Sequence, residues 1–365
     1  MKRFLSSLIL VIIATFTVAT LSPSQAADLI ISPPKFEIDA DKGQVVNDTI
    51  TITNRDTSNI ILAPSTQDFV AAGETGKPGF VDPAESDASI SVASWITVND
   101  SEPVTIRPNE KKSVPFTITV PENAEPGGHY GVIFFAPPSD AGQVAVQQKI
   151  GVLVLVRVGG DITEKGKLDT FGIYSEDIKG EDIPKSSSSF FFSGLPIPFA
   201  MRYENQGNIH IKPDAKIEIF NTFGNKVNSV GVEIILSEKG VEISKNIVDY
   251  IPVNPGLGNV LAKSFRTFRA SWQGEPYWYY NEDGTKEIRY KGYPVGIYKA
   301  RLTLDNFGTE VIEEVTFIIF PWKEILGGAV GAALVIFLLI RYRRWSRRRQ
   351  EEMFKKKFGV KEKKK

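Results

Sequence analysis

The chain has 365 residues, with 43 Lys and Arg balanced by 43 Asp and Glu, two histidines and no cysteine. Without cysteine there is no disulfide framework, no thiol nucleophile and no thiolate metal site. The neutral total hides an asymmetry: residues 341–365 carry a net +10, Lys2 and Arg3 add +2, and residues 27–340 carry −12.

The N-terminus reads as a secretory signal peptide, residues 1–26. Lys2 and Arg3 precede an apolar stretch, Leu8–Ala19, and Ser24-Gln25-Ala26 supplies the small residues of a cleavage site. A secreted domain of eukaryotic type would often carry disulfides, so their absence leans towards a bacterial cell surface. Asn47-Asp48-Thr49 and Asn99-Asp100-Ser101 are then turn-and-strand chemistry and not sugar sites.

The roughly 295 residues that follow suit two domains. Gln44–Asn54 alternates from Asn47 onward. Ser113–Val120 and His129–Ala136 are rich in β-branched and aromatic residues, and Lys149–Val158 is almost continuously apolar. Turn residues separate these runs, and no long helical period occurs before residue 323. The expected fold is all-β: two tandem immunoglobulin-like antiparallel β-sandwiches plus one C-terminal transmembrane helix. The first sandwich is placed at 28–160 and the second at 168–321, joined through Gly159-Gly160-Asp161 and Glu164–Lys167. Ser186–Ser189 and residues 190–198 form a biased insert, read as a loop or an apolar contact patch.

An internal repeat supports the division. NRDTSNI (54–60) follows a strand in the first half and NQGNI (205–209) in the second. Pro126-Gly127-Gly128-His129-Tyr130 and Pro294-Val295-Gly296-Ile297-Tyr298 share the pattern Pro-x-Gly-x-Tyr. Proline ends an edge, glycine supplies an unusual backbone angle, and tyrosine opens the next strand with its ring tucked in.

Chemistry-bearing motifs are few. His129 and His210 fall in different domains and read as exposed loop residues. No nucleophile elbow, P-loop, dinucleotide fingerprint or HExxH motif is present. Asp39 with Asp41, Asp82 with Glu85, and Glu282-Asp283 are the candidate calcium clusters, and none has the ordered loop that calcium needs. The expectation is a protein with no catalytic residues, no metal and no cofactor.

Partner binding has two candidates. Residues 276–291 read as a hairpin turned at Asn281–Gly284, with Trp272, Tyr277, Trp278, Tyr279, Tyr280, Tyr290 and Tyr293 in or beside it. Consecutive aromatics on a strand point to both faces. Either the hairpin exposes some of them as a contact surface, since aromatic rings stack on sugars and enrich interfaces, or it folds against its own sandwich. The second candidate is Ala71–Ser91, a long connection expected to lack regular structure.

Ile325–Ile340 is uncharged over sixteen residues, ~24 Å as a helix against a ~30 Å hydrocarbon core. Trp322, Tyr342 and Trp345 suit the two interfaces, and Arg341 can snorkel. The basic tail, 341–365, keeps the C-terminus cytoplasmic and the acidic domains outside, and it suits anionic lipid and not nucleic acid. Gly327 and Gly331 form a GxxxG pair, a candidate helix-dimerisation face for a homodimer.

Leu29–Pro34 (LIISPP), Thr49–Asn54 (TITITN), Val114–Pro121 (VPFTITVP) and Glu125–Phe135 (EPGGHYGVIFF) resemble the N-terminal peptidoglycan-binding domain of the WxL-interacting proteins, a bacterial cell-surface family. Tyr203–His210 (YENQGNIH), Ile219–Gly224 (IFNTFG) and Phe320–Lys323 (FPWK) resemble that family's C-terminal half. The resemblance implies a membrane-anchored surface protein that binds peptidoglycan or other surface proteins. Two other readings stay open: a membrane-tethered assembly or secretion accessory that holds exported proteins by strand addition, and a tethered cell-wall hydrolase with two converging carboxylates.

Overall fold

The computed structural model describes residues 28–82, 87–98, 103–138, 149–174, 191–237, 240–282, 286–291 and 294–359. Residues 1–26, expected to be a signal peptide, and Asn99, Glu85, residues 175–190, Asp283 and Tyr293 lie outside the described residues. The chain forms two compact units, one of residues 1–71 and 78–164, the other of residues 72–77 and 165–365.

The first unit contains β1 (Leu29–Ser32), β2 (Lys35–Ala40), β3 (Val45–Asn54), β4 (Ile60–Ala72), β5 (Lys77–Val81), the single-turn helix α1 (Val92–Trp95), β6 (Ile96–Val98), β7 (Val104–Ile106), β8 (Lys111–Thr119), β9 (Gly127–Ala136) and β10 (Ile150–Val158). One sheet has the order β1-β3-β8-β6 and the other β2-β10-β9-β4-β5, with β7 beside β4. The pattern of β8 shows why these runs are strands. Val114, Phe116, Ile118 and Val120 alternate with exposed or half-exposed residues and are all fully buried, as a strand with one face on a core requires. Facing them are Val152, Val154, Val156 and Val158 of β10. β10, apolar but for Arg157, lies inside its sheet, between β9 and β2. Its pairing with β2 is parallel, a departure from a purely antiparallel sandwich. The chain reaches β2 by leaving the β1 sheet at Ser32-Pro33, a cis peptide bond.

The second unit contains β11 (Gly166–Ile173), β12 (Phe191–Phe192), β13 (Ile197–Asn205), β14 (Asp214–Phe220), β15 (Lys226–Val227), β16 (Ser229–Ser237), β17 (Gly240–Val248), β18 (Ile251–Pro252), β19 (Phe265–Trp272), β20 (Pro276–Tyr280), β21 (Lys286–Tyr290), β22 (Gly296–Asn306), β23 (Thr309–Ile319) and the helix α2 (Trp322–Phe358). Its core lies between the β11-β13-β19 sheet and the β12-β23-β22-β14-β15 sheet. β16 pairs with β17, and β20 with β21, as separate two-stranded sheets. β12 joins β23 in parallel, so the start of the 190–198 segment is a short strand and not a loop, and its last two residues already belong to β13. Arg202 is gripped by both oxygens of Glu74, at 2.8 and 2.6 Å, and by Asp169 at 2.6 Å. Its hydrogen bonds hold both carboxyls below their ordinary values.

Each unit ends a core strand on a buried asparagine, and the two asparagines bond alike. Asn54, last in β3, donates through Nδ2 to the carbonyls of Ser58 and Ile106 and accepts the Asp56 N–H on Oδ1. Asn205, last in β13, donates to the carbonyls of Ile209 and Val260 and accepts the Gly207 N–H. In both, one side chain satisfies the following turn and ties it to a distant segment. This is the physical content of the NRDTSNI and NQGNI repeat.

The second repeat is real but shifted by one residue. The residues with positive φ are Gly127 (133°) and Gly296 (146°), each opening its strand. Aligned on them, Tyr298 corresponds to His129 and not to Tyr130. His129 is buried against Trp95, ring centroids 5.0 Å apart, and Tyr298 packs on Trp272 at 5.1 Å. His129 is therefore no exposed loop residue: its ring nitrogens lie 3.2 and 2.7 Å from the carbonyl oxygens of Ile90 and Glu125. Tyr130 is half-buried and meets Phe69 instead.

Replacing Asn54 or Asn205 with alanine leaves two carbonyls and one N–H without their partner, so each change should destabilise its own unit by about 2 kcal/mol or more. Chemical denaturation of the detergent-solubilised chain measures this. An unchanged midpoint would show that water replaces the asparagine at no cost.

Candidate functional site

The aromatic segment begins with a core residue. Trp272 closes β19 at 1% exposure, packed on Tyr298 and Phe317. Contrary to the expectation of a surface contact, its position on β19 points it between the sheets, into the core. Two residues later the chain leaves the sandwich. Gly274 has φ +100°, and a Cβ there would lie 2.7 Å from Leu195 Cδ1, so only glycine makes this exit without strain.

The hairpin then closes on itself. The Lys291 N–H donates to the Glu275 carbonyl at 2.8 Å, and the Lys291 ammonium meets the Glu275 carboxylate at 2.8 Å. Pro276 opens β20 and is buried. Beyond it Tyr277 faces Arg289, Trp278 faces Ile288, and Tyr279 faces Glu287 across the pair. Alternation puts Tyr277, Tyr279, Glu287 and Arg289 on one face and Trp278, Tyr280, Ile288 and Tyr290 on the other. Tyr277, Tyr279, Tyr280 and Tyr290 are 39, 38, 69 and 37% exposed, and Trp278 is half-buried. Burial of part of Tyr290 pushes its phenol pKa up.

The two faces differ chemically. The Arg289 guanidinium lies 3.4 Å from the centroid of Tyr279 and is held there by Glu287. This cation–π contact occupies the ring face that a sugar would stack on. Tyr280, beside the turn, is the most exposed of the four.

The remaining sequence candidates are placed as follows. Ala71–Ser91 is not an irregular loop: Ala71 and Ala72 end β4, and Lys77–Val81 is β5. Asp39 has Arg157 at 3.9 Å. Among the described residues no group of three or more His, Asp or Glu is arranged to hold a metal. α2 runs well past Ile340 into the basic segment, and Trp322–Phe354 contains an apolar stretch, mean hydropathy 2.1, long enough to cross a membrane. Gly327 and Gly331 lie on it with open space beside them.

No family model matches the chain, and no curated protein does. The resemblance to WxL-interacting proteins thus rests on the quoted motifs. Solved structures with a similar course of chain include the class 5 fimbriae chaperone CfaA, at 9% identity over 80% of this chain and 100% of that one, TM-score 0.33. A chaperone–tip adhesin complex of CFA/I fimbriae biogenesis gives 9%, 81%, 100% and 0.33. The CsuC–CsuE chaperone–tip adhesion subunit complex of Acinetobacter baumannii gives 12%, 66%, 90% and 0.30. At such scores the likeness says nothing of what this chain binds.

Trp272→Ala should cost ~3–5 kcal/mol of stability in the second unit, and Tyr280→Ala should stay within about 0.5 kcal/mol of the parent. Thermal unfolding of the two variants separates core from surface. Equal losses would show that the hairpin is part of the folded core.

Proposed function

We propose that the chain is a membrane-anchored binding protein whose two sandwiches stand outside the cytoplasm and whose β20–β21 hairpin takes a polypeptide partner. The anchor is α2, apolar and exposed from Ile325 to Ile340. The orientation follows from the net +10 on residues 341–365, since flanking positive charge stays inside. The observation that carries the reading is the hairpin itself: four exposed tyrosines on two faces of a sheet that stands apart from both core sheets. Exposed tyrosine and arginine together are the composition of protein interfaces.

Peptidoglycan is the competing ligand. Arg289 lies over Tyr279, so a glycan would stack on the other exposed rings, whereas tyrosine beside arginine is the pairing that protein interfaces favour. Binding by strand addition, as an assembly or secretion accessory would use, also suits this element. A two-stranded sheet has two outer edges, and β21 (Lys286–Tyr290) is one of them.

A photo-crosslinking residue at Tyr280 in intact cells should yield a protease-sensitive adduct. Trp278→Ala combined with Tyr280→Ala should weaken capture about tenfold or more with the melting temperature unchanged. Saturable, salt-resistant pelleting with isolated cell-wall sacculi, lost in the double variant and without any polypeptide adduct, would transfer the function to peptidoglycan.

A further inference from the structure

One end of the second sandwich carries an apolar surface that neither the core nor the hairpin uses. Phe191 of β12, Ile318 of β23 and Ile297 of β22 are directly opposite one another in register. They form one cross-strand row on the outer face, 51, 37 and 46% exposed. Phe320 follows, its ring 6.3 Å from Phe191. Beside the row, at the turn between β14 and β15, Phe223 is 86% exposed.

That turn is built to hold Phe223 outward. Asn221 Oδ1 accepts the N–H groups of Phe223 and Asn225, both at 3.0 Å, and Gly224 takes φ +77°. Thr222 Oγ1 donates to the Ile297 carbonyl at 2.9 Å and accepts the Ile297 N–H at 3.2 Å. The Phe223 turn is thereby fastened to the Ile297 row. β14 and β23 both run antiparallel to β22, so both finish at this end of the sheet, about two strand spacings (~10 Å) apart.

The same end is where the chain departs for α2. The Phe320 N–H still donates to the Phe192 carbonyl at 2.9 Å, and α2 begins at Trp322. At ~3.6 Å per residue the end of the sheet lies within ~11 Å of the first helical turn. The uncharged part of the helix, Ile325–Ile340, is ~24 Å long against a ~30 Å hydrocarbon core, so mismatch draws its ends into the interface. Scattered exposed apolar residues need no explanation. Five gathered at the end that the span ties to the bilayer do.

We infer that this end of the second sandwich, through Phe223, Ile297, Phe191, Ile318 and Phe320, beds in the headgroup–acyl boundary of the membrane that α2 crosses. The inference rests on the reading of α2 as a membrane span. It makes the second sandwich a base seated on lipid, with Trp322 at the same depth as an interfacial anchor.

The absence of native cysteine allows a clean test. The full chain is reconstituted in phosphatidylcholine–phosphatidylglycerol vesicles as four single-cysteine variants: Phe223→Cys, Ile297→Cys, Phe307→Cys and Leu334→Cys. Phe307, 50% exposed in the turn between β22 and β23, marks the opposite end of the same sheet. Each is labelled with an environment-sensitive fluorophore and exposed to lipids bearing a nitroxide at the headgroup or deep in the acyl chain. Headgroup nitroxide should quench the probes at 223 and 297 at least threefold more than the probe at 307, and the deep nitroxide should quench the probe at 334. Quenching at 334 with 223 and 297 no different from 307 would overturn the inference and leave the anchor standing. No quenching at 334 would remove the anchor and the inference together.

Discussion

The structure depends on one device used twice: a fully buried asparagine at the end of a core strand, with every hydrogen-bonding group satisfied. A sandwich must turn its chain at the rim of the core, where backbone groups are dry and cannot rely on water. Asn54 and Asn205 supply the missing partners from one side chain each. They bond the turn that follows and a carbonyl more than fifty residues away in sequence. The local turn and the long-range closure of each unit are thus one interaction, which explains why the same short pattern recurs.

Upon this frame each unit builds a core of alternating strands, and two features of the second bear on its use. One is a hairpin that leaves the sandwich at Gly274 and carries tyrosines into solvent. The other is a chain end that passes from strand to apolar helix across two residues. In the proposed function the hairpin is the binding element and the helix is the attachment. The chemistry offered is that of aromatic surface and charge, with Arg289 and Glu287 deciding which ring faces are open.

Much of this was legible in the residues. β8 reads as a strand because Val114, Phe116, Ile118 and Val120 alternate, and the hairpin reads as one because a turn divides two β-prone runs. What escaped were details that hang on a single register or on tertiary context. The Pro-x-Gly-x-Tyr repeat aligns by letters on Gly128, but the backbone turns at Gly127, and a shift of one residue swaps faces. His129 thus takes the inner place expected of Tyr130. Trp272 looked like the first of a surface series, yet it belongs to β19 and not to β20; only Gly274 marks the boundary. The 71–91 segment hid β5 because Pro78 and Gly79 weaken its strand signal. Phe223 sits in a sequence, Asn221–Asn225, that reads as an ordinary turn, and its significance comes from which end of the sheet the turn occupies.

The central claim is that the sandwiches stand on the far side of a membrane from the basic tail. Cysteine at Tyr280 or at Met353, in the otherwise cysteine-free chain, can be probed with a membrane-impermeant maleimide on intact cells. The account predicts labelling at position 280 in intact cells and at position 353 only after lysis. Labelling at 353 in intact cells with none at 280 would reverse the orientation, and protection of both until lysis would place the whole chain inside.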